Sequence, residues 1–455
     1  MFLIYSIVYT LAFIVLLPRF LFDALFNGKY AAGFKQRLGY LPAFDEKGKR
    51  VVWLHCVSVG ETNAARPLAI KLKETFPEIS LVVSTTTRTG QKLAKTVFAD
   101  VADLVFYFPF DWKFTVRRTL HRIKPSVVLL METEIWPNFI RESYHAGARL
   151  AIVNGRLSER SLTRYAKIRQ FIKRILGYLD LALMQENGDA TRLMSLGIRA
   201  SKVRVTGNLK FDHFTEAAEI DLTNYFRSRF CGGDDSRPFI VAASTHEPEE
   251  KWILDAFCSS ANDGPRPKPR LLLAPRHPER FDKVAALIED FRKNTGCEWQ
   301  SYSFVKRSRA QSETDKAADV VLLDSIGELR SVYPLADLVF VGGSLIKHGG
   351  HSIFEPAAAG KAIVTGPFTH NFDTAVNSFI EKRALVQLPD APQDFQVVER
   401  LYEVFIDLLN NADKRHELGF NALNAMESGR GAVEKTIEYL QPVLDKNIVR
   451  KKHYG

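Results

Sequence analysis

An acidic residue follows the first apolar, strand-like run of the chain, where it could act as a base. The run Val51–Leu54 is followed by the sequence HCVSVGE (55–61), in which Gly60 permits a tight turn. Glu61 then falls in the first turn of the next helix. A carboxylate there could accept a proton from a substrate hydroxyl, but acidic residues also favour this position as helix caps. The spacing does not separate the two interpretations.

Two more acidic residues and a lysine stand at comparable positions. The sequence METEIWP (131–137) places Glu132 and Glu134 directly after the run Val127–Leu130. Buried acids need partners, so Glu132 belongs either to a site or to a structural ion pair. Lys210, in GNLKFD (207–212), could stabilise developing phosphate charge or could be a surface lysine.

Two further segments of the first half could meet anions. The hydroxyl-rich sequence TTTRTG (85–90) opens a helix and could hold an anion through backbone N–H groups or simply cap the helix. Residues 156–174 carry seven cations against Glu159 alone. A charge run of this kind is either a solvated helix face or a surface for lipid phosphates. The cations are Arg156, Arg160, Arg164, Lys167, Arg169, Lys173 and Arg174.

The second half carries turns typical of a nucleotide-phosphate pocket. Its strand-like runs end in STHE (244–247), PRHP (275–278), DSIGEL (324–329), GGS (342–344) and GGHSIFEP (349–356). Glycine-rich or hydroxyl-rich turns at helix starts present backbone N–H groups to phosphate. Neither GxGxxG nor GxxxxGK[ST] occurs, which argues against NAD enzymes and P-loop ATPases. No acidic pair demands a metal ion, so we predict no cofactor and a metal-independent reaction.

Parallel strands must position these segments. Continuous apolar runs separated by helical stretches indicate parallel sheets covered on both faces, and ligands bind beyond the carboxyl ends of such strands. Thirteen strands are too many for one comfortable open sheet, so two doubly wound domains are predicted. The strands are Val51–Leu54, Leu81–Ser84, Leu104–Tyr107, Val127–Leu130, Leu150–Val153, Leu181–Met184, Val203–Val205, Phe239–Ala242, Leu271–Leu273, Val320–Leu323, Leu338–Val341, Ala362–Val364 and Leu385–Gln387.

The domain plan has three parts. Residues 1–26 are predicted to be a membrane anchor, 27–215 the first domain and 216–455 the second, with residues 307–319 an exposed loop. The last helical stretch, about 396–442, either closes the second domain or crosses back onto the first. The anchor rests on residues 1–17, which carry no charge and precede Arg19, Lys29, Lys35 and Arg37. By the positive-inside rule the body stays cytoplasmic, whether the helix spans the bilayer or lies in its interface.

The amino-acid composition limits the classes of protein and the kinds of binding partner that fit this chain. The chain has 455 residues, 46% hydrophobic and 25% charged, which excludes a disordered chain, a fibrous repeat and a multi-span transporter. Its formal net charge of +10 favours anionic partners. No nucleic-acid-binding signature stands out, so phosphorylated ligands and an anionic membrane surface are favoured over nucleic acid.

Several segments resemble a known family more closely than at the level of the fold. They are SVGE (58–61), METEIWPN (131–138), NGRLSERS (154–161), GNLKFD (207–212), STHEPEE (244–250), PRHPERF (275–281) and GGHSIFEP (349–356). Together they resemble the 3-deoxy-D-manno-octulosonic acid (Kdo) transferases, which have the GT-B glycosyltransferase fold. The resemblance covers most of the chain, including the N-terminal anchor, and implies two Rossmann-like domains facing a cleft.

The resemblance also implies roles for individual residues. Glu61 matches the family's catalytic base, and Glu132 and Lys210 match residues that support the transition state. The positions that match CMP contacts are Pro275, Arg276, Ile326, Gly327, Glu328, Ser352, Ile353, Phe354 and Glu355. Glu355 is expected to hold the ribose. Ser352 departs from the asparagine common among relatives, and Cys56 replaces a common alanine.

The implied activity is inverting transfer of Kdo from CMP-Kdo to the tetra-acyldisaccharide 1,4'-bisphosphate precursor of lipid A. The implied location is the cytoplasmic face of the inner membrane, within lipopolysaccharide biosynthesis. Two alternatives stay open from the sequence: another membrane-associated GT-B enzyme that uses a UDP-sugar, and a non-catalytic scaffold that binds lipid phosphates. Release of CMP on mixing donor and acceptor would exclude the scaffold, and competition by CMP but not UDP would separate the two enzymes.

Overall fold

A computed structural model describes residues 1–27, 33–213, 220–231, 237–264, 267–294 and 302–445. The chain divides into two compact units. Unit 1 comprises Met1–His213 together with the C-terminal segment from Gly429, and unit 2 comprises Phe214–Ser428. Each unit has its own seven-stranded parallel sheet. The prediction of two parallel α/β sheets is therefore confirmed.

The sheet of unit 1 has the strand order β3-β2-β1-β4-β5-β6-β7. Its strands are β1 (Arg50–Cys56), β2 (Ile79–Thr85), β3 (Leu104–Tyr107), β4 (Val127–Met131), β5 (Arg149–Gly155), β6 (Leu181–Met184) and β7 (Val203–Val205). The residues of the central strands are almost all buried, as expected of strands covered on both faces, whereas two of the three residues of the edge strand β7 are exposed. The order reverses between β1 and β4, which pair in parallel. Their carboxyl ends are thus the topological switch point, where ligands bind in such sheets.

The helices of unit 1 alternate with these strands. They are α1 (Phe2–Asn27), α2 (Phe34–Arg37), α3 (Val59–Thr75), α4 (Arg88–Val97), α5 (Lys113–Ile123), α6 (Pro137–His145), α7 (Glu159–Ala166), α8 (Arg169–Leu176), α9 (Asn187–Ser195) and α10 (Lys210–His213), with a short turn at Ala200–Lys202. Before α4, the Thr87 side chain accepts a hydrogen bond from the N–H of Gly90 at 3.0 Å. The hydroxyl-rich segment 85–90 therefore caps this helix.

The first helix, α1, packs one side on unit 1. Tyr5 donates a hydrogen bond to Asp111 at 2.8 Å, and Phe2 lies edge-on against Phe171 with ring centroids 5.1 Å apart. The other side is apolar and exposed, with Leu3 at 73% and Val15 at 77% relative exposure. Within the described part of the chain, no helix meets the length and apolarity needed to cross a membrane.

The sheet of unit 2 has the strand order β10-β11-β9-β8-β12-β13-β14. Its strands are β8 (Phe239–Thr245), β9 (Arg270–Pro275), β10 (Phe304–Lys306), β11 (Val320–Leu322), β12 (Leu338–Val341), β13 (Ala362–Thr365) and β14 (Val386–Gln387). The switch point here lies between β8 and β12. Strand β10 is absent from the thirteen predicted strands, because three residues at a sheet edge give too short an apolar pattern.

The helices of unit 2 cover both faces of its sheet. They are α11 (Ile220–Phe226), α12 (Glu249–Asp263), α13 (Phe281–Asn294), α14 (Leu329–Val332), α15 (Phe354–Ala358), α16 (Asp373–Glu381), α17 (Asp394–Asn410) and α18 (Ala412–Gly429). Single turns lie at Arg227–Cys231, Pro278–Arg280, Glu313–Ala317 and Tyr333–Leu335. The prediction that residues 307–319 form an exposed loop is partly wrong, because Asp315 in this segment is buried and forms an ion pair at 2.8 Å with the buried Arg229.

The last described helix, α19 (Ala432–Leu444), belongs to unit 1. Its residues Val433, Ile437 and Leu440 join the buried cluster that also holds β1 and α3. Asp212 accepts hydrogen bonds from the N–H groups of Gly431 at 2.9 Å and Val433 at 2.7 Å, which fixes the start of this helix. The predicted helical stretch of about 396–442 is thus three helices: α17 and nearly all of α18 belong to unit 2, and the last helix, α19, belongs to the first unit.

Candidate functional site

Glu61 lies at the switch point of unit 1, in the first turn of α3, and its side chain is only 6% exposed. One carboxylate oxygen accepts a hydrogen bond from the N–H of Val57 at 2.8 Å, and the other accepts one from the Ser58 hydroxyl at 3.0 Å. The Ser58 oxygen in turn caps the helix by accepting the N–H of Glu61 at 3.4 Å. The carboxylate therefore has a local structural role and a fixed orientation at once.

Burial and like charges set the proton affinity of Glu61. The pKa of Glu61 is raised to about 8, chiefly by desolvation, then by the charge of Glu132 and to a smaller extent by that of Glu134. The hydrogen bonds from Val57 and Ser58 favour the charged form and act in the opposite direction. A carboxylate with such a raised pKa is a stronger base than an exposed one, which suits it to accept a proton from a hydroxyl.

Glu132 directly follows β4, next to β1 in the sheet, with a left-handed backbone φ of 52°. Its side chain accepts a hydrogen bond from the Lys210 ammonium at 3.3 Å. Both side chains are about a quarter exposed, so the pair is partly open to solvent. The ion pair left open by the sequence is thus present.

Glu134 completes an acidic cluster with Glu61 and Glu132. Burial, followed by the charge of Glu132, raises the pKa of Glu134. Thr133, which lies between Glu132 and Glu134 in the sequence, donates a hydrogen bond to the carbonyl of Arg156 at 2.6 Å. This bond ties the loop after β4 to the end of β5.

Backbone contacts position Lys210 at the start of α10. The N–H of Leu209 donates to the Asn154 side chain at 2.9 Å, and Asn154 itself has a left-handed φ of 54° at the end of β5. Gly207 has a φ of 96°, and a Cβ there would approach Ala432 at 3.3 Å. The segment 207–212 is therefore fixed by β5 on one side and by α19 on the other.

In unit 2, the predicted CMP contacts fall at strand ends of the second sheet. Pro275 is the buried last residue of β9, and Arg276 is exposed, with its N–H bonded to the carbonyl of Thr245 at 3.0 Å. Ile326 is 75% exposed, and Gly327 has a φ of 88° with open space around it. Both residues are free to meet a ligand.

The acidic members of this set already have cationic neighbours. Glu328 accepts two hydrogen bonds from the Arg307 guanidinium, at 2.8 and 3.0 Å. Arg330 lies 3.5 Å from Glu355. Burial raises the pKa of Glu355, and the charges of Arg330 and Arg276 oppose that rise.

The segment before α15 presents mainly backbone. Ile353 and Phe354 are buried in unit 2, so their side chains are unavailable and only their main-chain groups could meet a ligand. Ser352 is half-buried, and its hydroxyl oxygen accepts the N–H of Phe354 at 3.4 Å. The predicted third CMP contact therefore depends on main chain and on Glu355.

Sequence reasoning missed two features at the switch point of unit 2. Glu249 is fully buried and accepts four backbone N–H groups, from His246, Gly343, Ser344 and Leu345, at 2.7 to 3.0 Å. Burial raises its pKa to about 7 against these hydrogen bonds. A cluster of histidines lies beside it. The available signal was a histidine in each of the segments that follow β8 and β12, the two strands at the switch point. The contact between these two distant segments could not be predicted from the sequence.

The family model that matches this chain and two of its most similar relatives carry the same transferase name. The family model described as 3-deoxy-D-manno-octulosonic-acid transferase (kdotransferase) matches residues 32–213. A 3-deoxy-D-manno-octulosonic acid transferase of Haemophilus influenzae is 32% identical over 92% of this chain and 93% of its own. That of Bordetella pertussis is 32% identical over 86% of each. A UDP-GlcNAc 2-epimerase structure from Neisseria meningitidis has a TM-score of 0.52 at 13% identity, covering 86% of this chain and 100% of that one, and shows the fold alone.

Proposed function

Because this chain belongs to the Kdo transferase family and is therefore a glycosyltransferase, we propose that it moves Kdo from CMP-Kdo to the lipid A precursor with inversion. The acceptor would be the tetra-acyldisaccharide 1,4'-bisphosphate, and the pathway lipopolysaccharide biosynthesis. The observation that carries the proposal is the buried, oriented carboxylate of Glu61 at the switch point of unit 1.

In this mechanism Glu61 takes the proton of an acceptor hydroxyl. The hydroxyl oxygen forms the new bond to the anomeric carbon of Kdo, while the bond from that carbon to the CMP phosphate breaks. The electron pair of the broken bond leaves with CMP, and the proton stays on Glu61. The sugar passes through an oxocarbenium-like state, and attack from the face opposite the leaving group inverts the configuration.

Lys210 and Glu132 are proposed to support the transition state. An ammonium group near the reacting centre stabilises the negative charge of the donor, which carries both a phosphate and the Kdo carboxylate. Glu132 orients that ammonium through the 3.3 Å hydrogen bond. We expect the reaction to proceed without a metal ion or other cofactor, because a cation and backbone dipoles already provide this stabilisation.

Donor binding is assigned to unit 2. Arg276 is proposed to contact the phosphate, Glu355 the ribose, and the exposed turn at Ile326 and Gly327 the nucleotide. Glu328 would act by holding this turn through its two bonds to Arg307. Pro275, Ser352, Ile353 and Phe354 complete the proposed contacts, the last two through their backbone.

An anionic membrane surface is the third proposed partner, with the body of the enzyme on the cytoplasmic face of the inner membrane. We propose that α1 anchors by lying in the interface, since its protein-facing side is already occupied by contacts such as Tyr5 to Asp111. Next to it, α8 brings Arg174 within 5.8 Å of the Phe2 ring. The exposed cations of α7 and α8 would meet lipid phosphates there. The lipid acceptor would reach the enzyme from this surface.

The decisive experiment compares wild-type enzyme with Glu61→Gln, using CMP-Kdo and the tetra-acylated precursor and analysing the products by mass. We expect transfer by Glu61→Gln to fall by about 10²–10⁴-fold because the proton acceptor is gone. CMP affinity, measured by calorimetry, should stay within about twofold because the proposed donor contacts are untouched.

The matched control is Glu74→Gln, an exposed acid at the other end of α3, which should transfer at the wild-type rate. Full activity of Glu61→Gln would contradict the base assignment. Failure of the wild type to release CMP with the lipid acceptor would contradict the proposed reaction.

A further inference from the structure

Three histidines converge at the switch point of unit 2. His246 follows β8, and His348 and His351 lie in the loop after β12. One ring nitrogen from each lies within 4.8 Å of the other two. The Nε2 atoms of His246 and His351 are only 2.8 Å apart, and these two rings are parallel within 5°. One nitrogen from each of the three rings thus lies close to the others, and the 2.8 Å contact is a hydrogen bond between His246 and His351 that a bound ion would replace.

The backbone around the cluster holds it in place. Glu249 fixes the N–H of His246 at 2.9 Å and that of Gly343 at 2.7 Å, so one carboxylate joins both loops. The N–H of Gly350 donates to the carbonyl of Gly343 at 2.8 Å, which closes the loop between His348 and His351. A Cβ on Gly343 would lie 2.9 Å from the His351 ring, so glycine is needed for the rings to pack there. The arrangement is preorganised.

We propose that His246, His348 and His351 form a binding site for a divalent transition-metal ion such as Zn²⁺. Zn–N bonds of about 2.0–2.1 Å in tetrahedral geometry place ligand nitrogens about 3.3 Å apart. The observed separations, from 2.8 Å up to 4.8 Å, bracket that value. His348 is exposed, so its ring can adjust at little cost. With three imidazoles as ligands, a water molecule would complete a four-coordinate site.

The surroundings select the kind of ion. Arg276 and Arg280 carry positive charge near these rings, which disfavours a cation held by charge alone. Glu250 offsets Arg280 through hydrogen bonds of 2.7 and 3.1 Å. Imidazole nitrogen suits Zn²⁺, Co²⁺, Ni²⁺ and Cu²⁺, whereas Mg²⁺ and Ca²⁺ prefer oxygen ligands. The histidines lie beside residues proposed to contact the donor, since Arg276 acts on their rings and His351 directly precedes Ser352. The proposal concerns ion binding only, and the transfer reaction is expected to run in the presence of a chelator.

The test is a titration of chelator-treated, full-length enzyme, expressed without a polyhistidine tag, with Zn²⁺ and separately with Co²⁺. We expect one equivalent to bind, and the visible absorption of bound Co²⁺ to be that of a four-coordinate site. Removing one ligand in His348→Ala should weaken binding by on the order of tenfold or more. Because His348 is exposed, this variant should fold as the wild type does.

The matched control is His416→Ala, which removes an exposed histidine from α18 and should leave the affinity for Zn²⁺ unchanged. At the same Zn²⁺ concentration, the melting temperature should rise for the wild type and for His416→Ala and should rise less for His348→Ala. Wild-type affinity in His348→Ala, or equal binding of Mg²⁺ and Zn²⁺, would overturn the proposal. None of these readouts uses the donor or the acceptor, so the proposed function can fail without affecting this result.

Discussion

At the scale of single residues, Glu61 combines a structural and a chemical role. Its carboxylate accepts hydrogen bonds from Val57 and Ser58, which orient it at the start of α3. Burial and the neighbouring acids Glu132 and Glu134 raise its pKa to about 8. Once ionised, a carboxylate with this raised pKa is a stronger base than an exposed one and is suited to take the proton of an acceptor hydroxyl.

The pH dependence of transfer should report this group. Because a base must be ionised, kcat/KM is expected to rise about tenfold per pH unit below pH 8 and to level off above it. Glu134→Gln removes one like charge, so its acidic limb should move to lower pH. The measurement is kcat/KM from pH 6 to 9 for both enzymes. A limb at the same pH in both would contradict the role given to Glu134.

The stability of the fold should also depend on the ionisation of Glu61, but it should fall as the pH rises, whereas the transfer rate should increase. The pKa of Glu61 in the folded state is raised from 4.5 to about 8, so the folded state binds more protons than the unfolded state between these values. Stability therefore falls as pH rises through that window. Gln cannot ionise, so the melting temperature of Glu61→Gln relative to wild type should increase from pH 5 to pH 8.5. Glu74→Gln should show no such trend.

The sequence could predict part of the site at this scale. The positions of Glu61, Glu132 and Lys210 could be predicted because each follows a strand or opens a helix, and the fold brings the last two within 3.3 Å. Their roles in the reaction stay predictions. Ile353 and Phe354 were named as contacts, but their side chains turned out to be buried. Whether a side chain points to the core or to a ligand depends on packing between distant segments, which no local pattern contains.

At the scale of elements, strands were easier to predict than the burial of charged side chains. The run Val51–Leu54 lies within β1, and Ala362–Val364 lies within β13, because apolar β-branched runs leave few alternatives. The ion pair of Arg229 and Asp315 was unpredictable, since it joins residues 86 positions apart. The sequence shows such residues only as ordinary surface charges.

The cap on α19 offers a test of element stability. Asp212→Ala removes the acceptor for the N–H groups of Gly431 and Val433, so unit 1 should lose about 1–2 kcal/mol of unfolding free energy. Denaturant unfolding monitored by circular dichroism measures the change. The control Glu438→Ala removes an exposed acid from the same helix and should cost much less. Equal losses in the two variants would contradict the capping role.

At the scale of the whole molecule, the proposed membrane partner would account for the net charge and for the exposed apolar surface together. The net charge of +10 is accompanied by exposed cations on α7 and α8 and by the exposed apolar side of α1. The contact between Phe2 and Arg174 places the apolar and cationic surfaces side by side. An interface of lipid tails and phosphates would satisfy both surfaces together.

Binding to anionic vesicles should depend on both surfaces. The double variant Leu11→Ser and Val15→Ser removes apolar side chains from the exposed side of α1, so its partition should fall by on the order of tenfold or more. Raising the salt concentration should weaken binding of the wild type further. Co-sedimentation with vesicles of phosphatidylglycerol measures both effects. Phe395→Ser with Phe420→Ser, two exposed aromatic residues of unit 2, should leave the partition unchanged.

The discontinuity of unit 1 has a consequence for how the protein is made. A ribosome delivers α19 only after all of unit 2 has emerged, so the apolar surface of α3 that packs with Val433 and Leu440 stays uncovered until the end of synthesis. Unit 2 is continuous and can finish first. A premature stop codon before Ala432 would therefore leave unit 2 and its sheet intact. Unit 1 would lack α19, and its uncovered apolar surface would be recognised by chaperones and proteases.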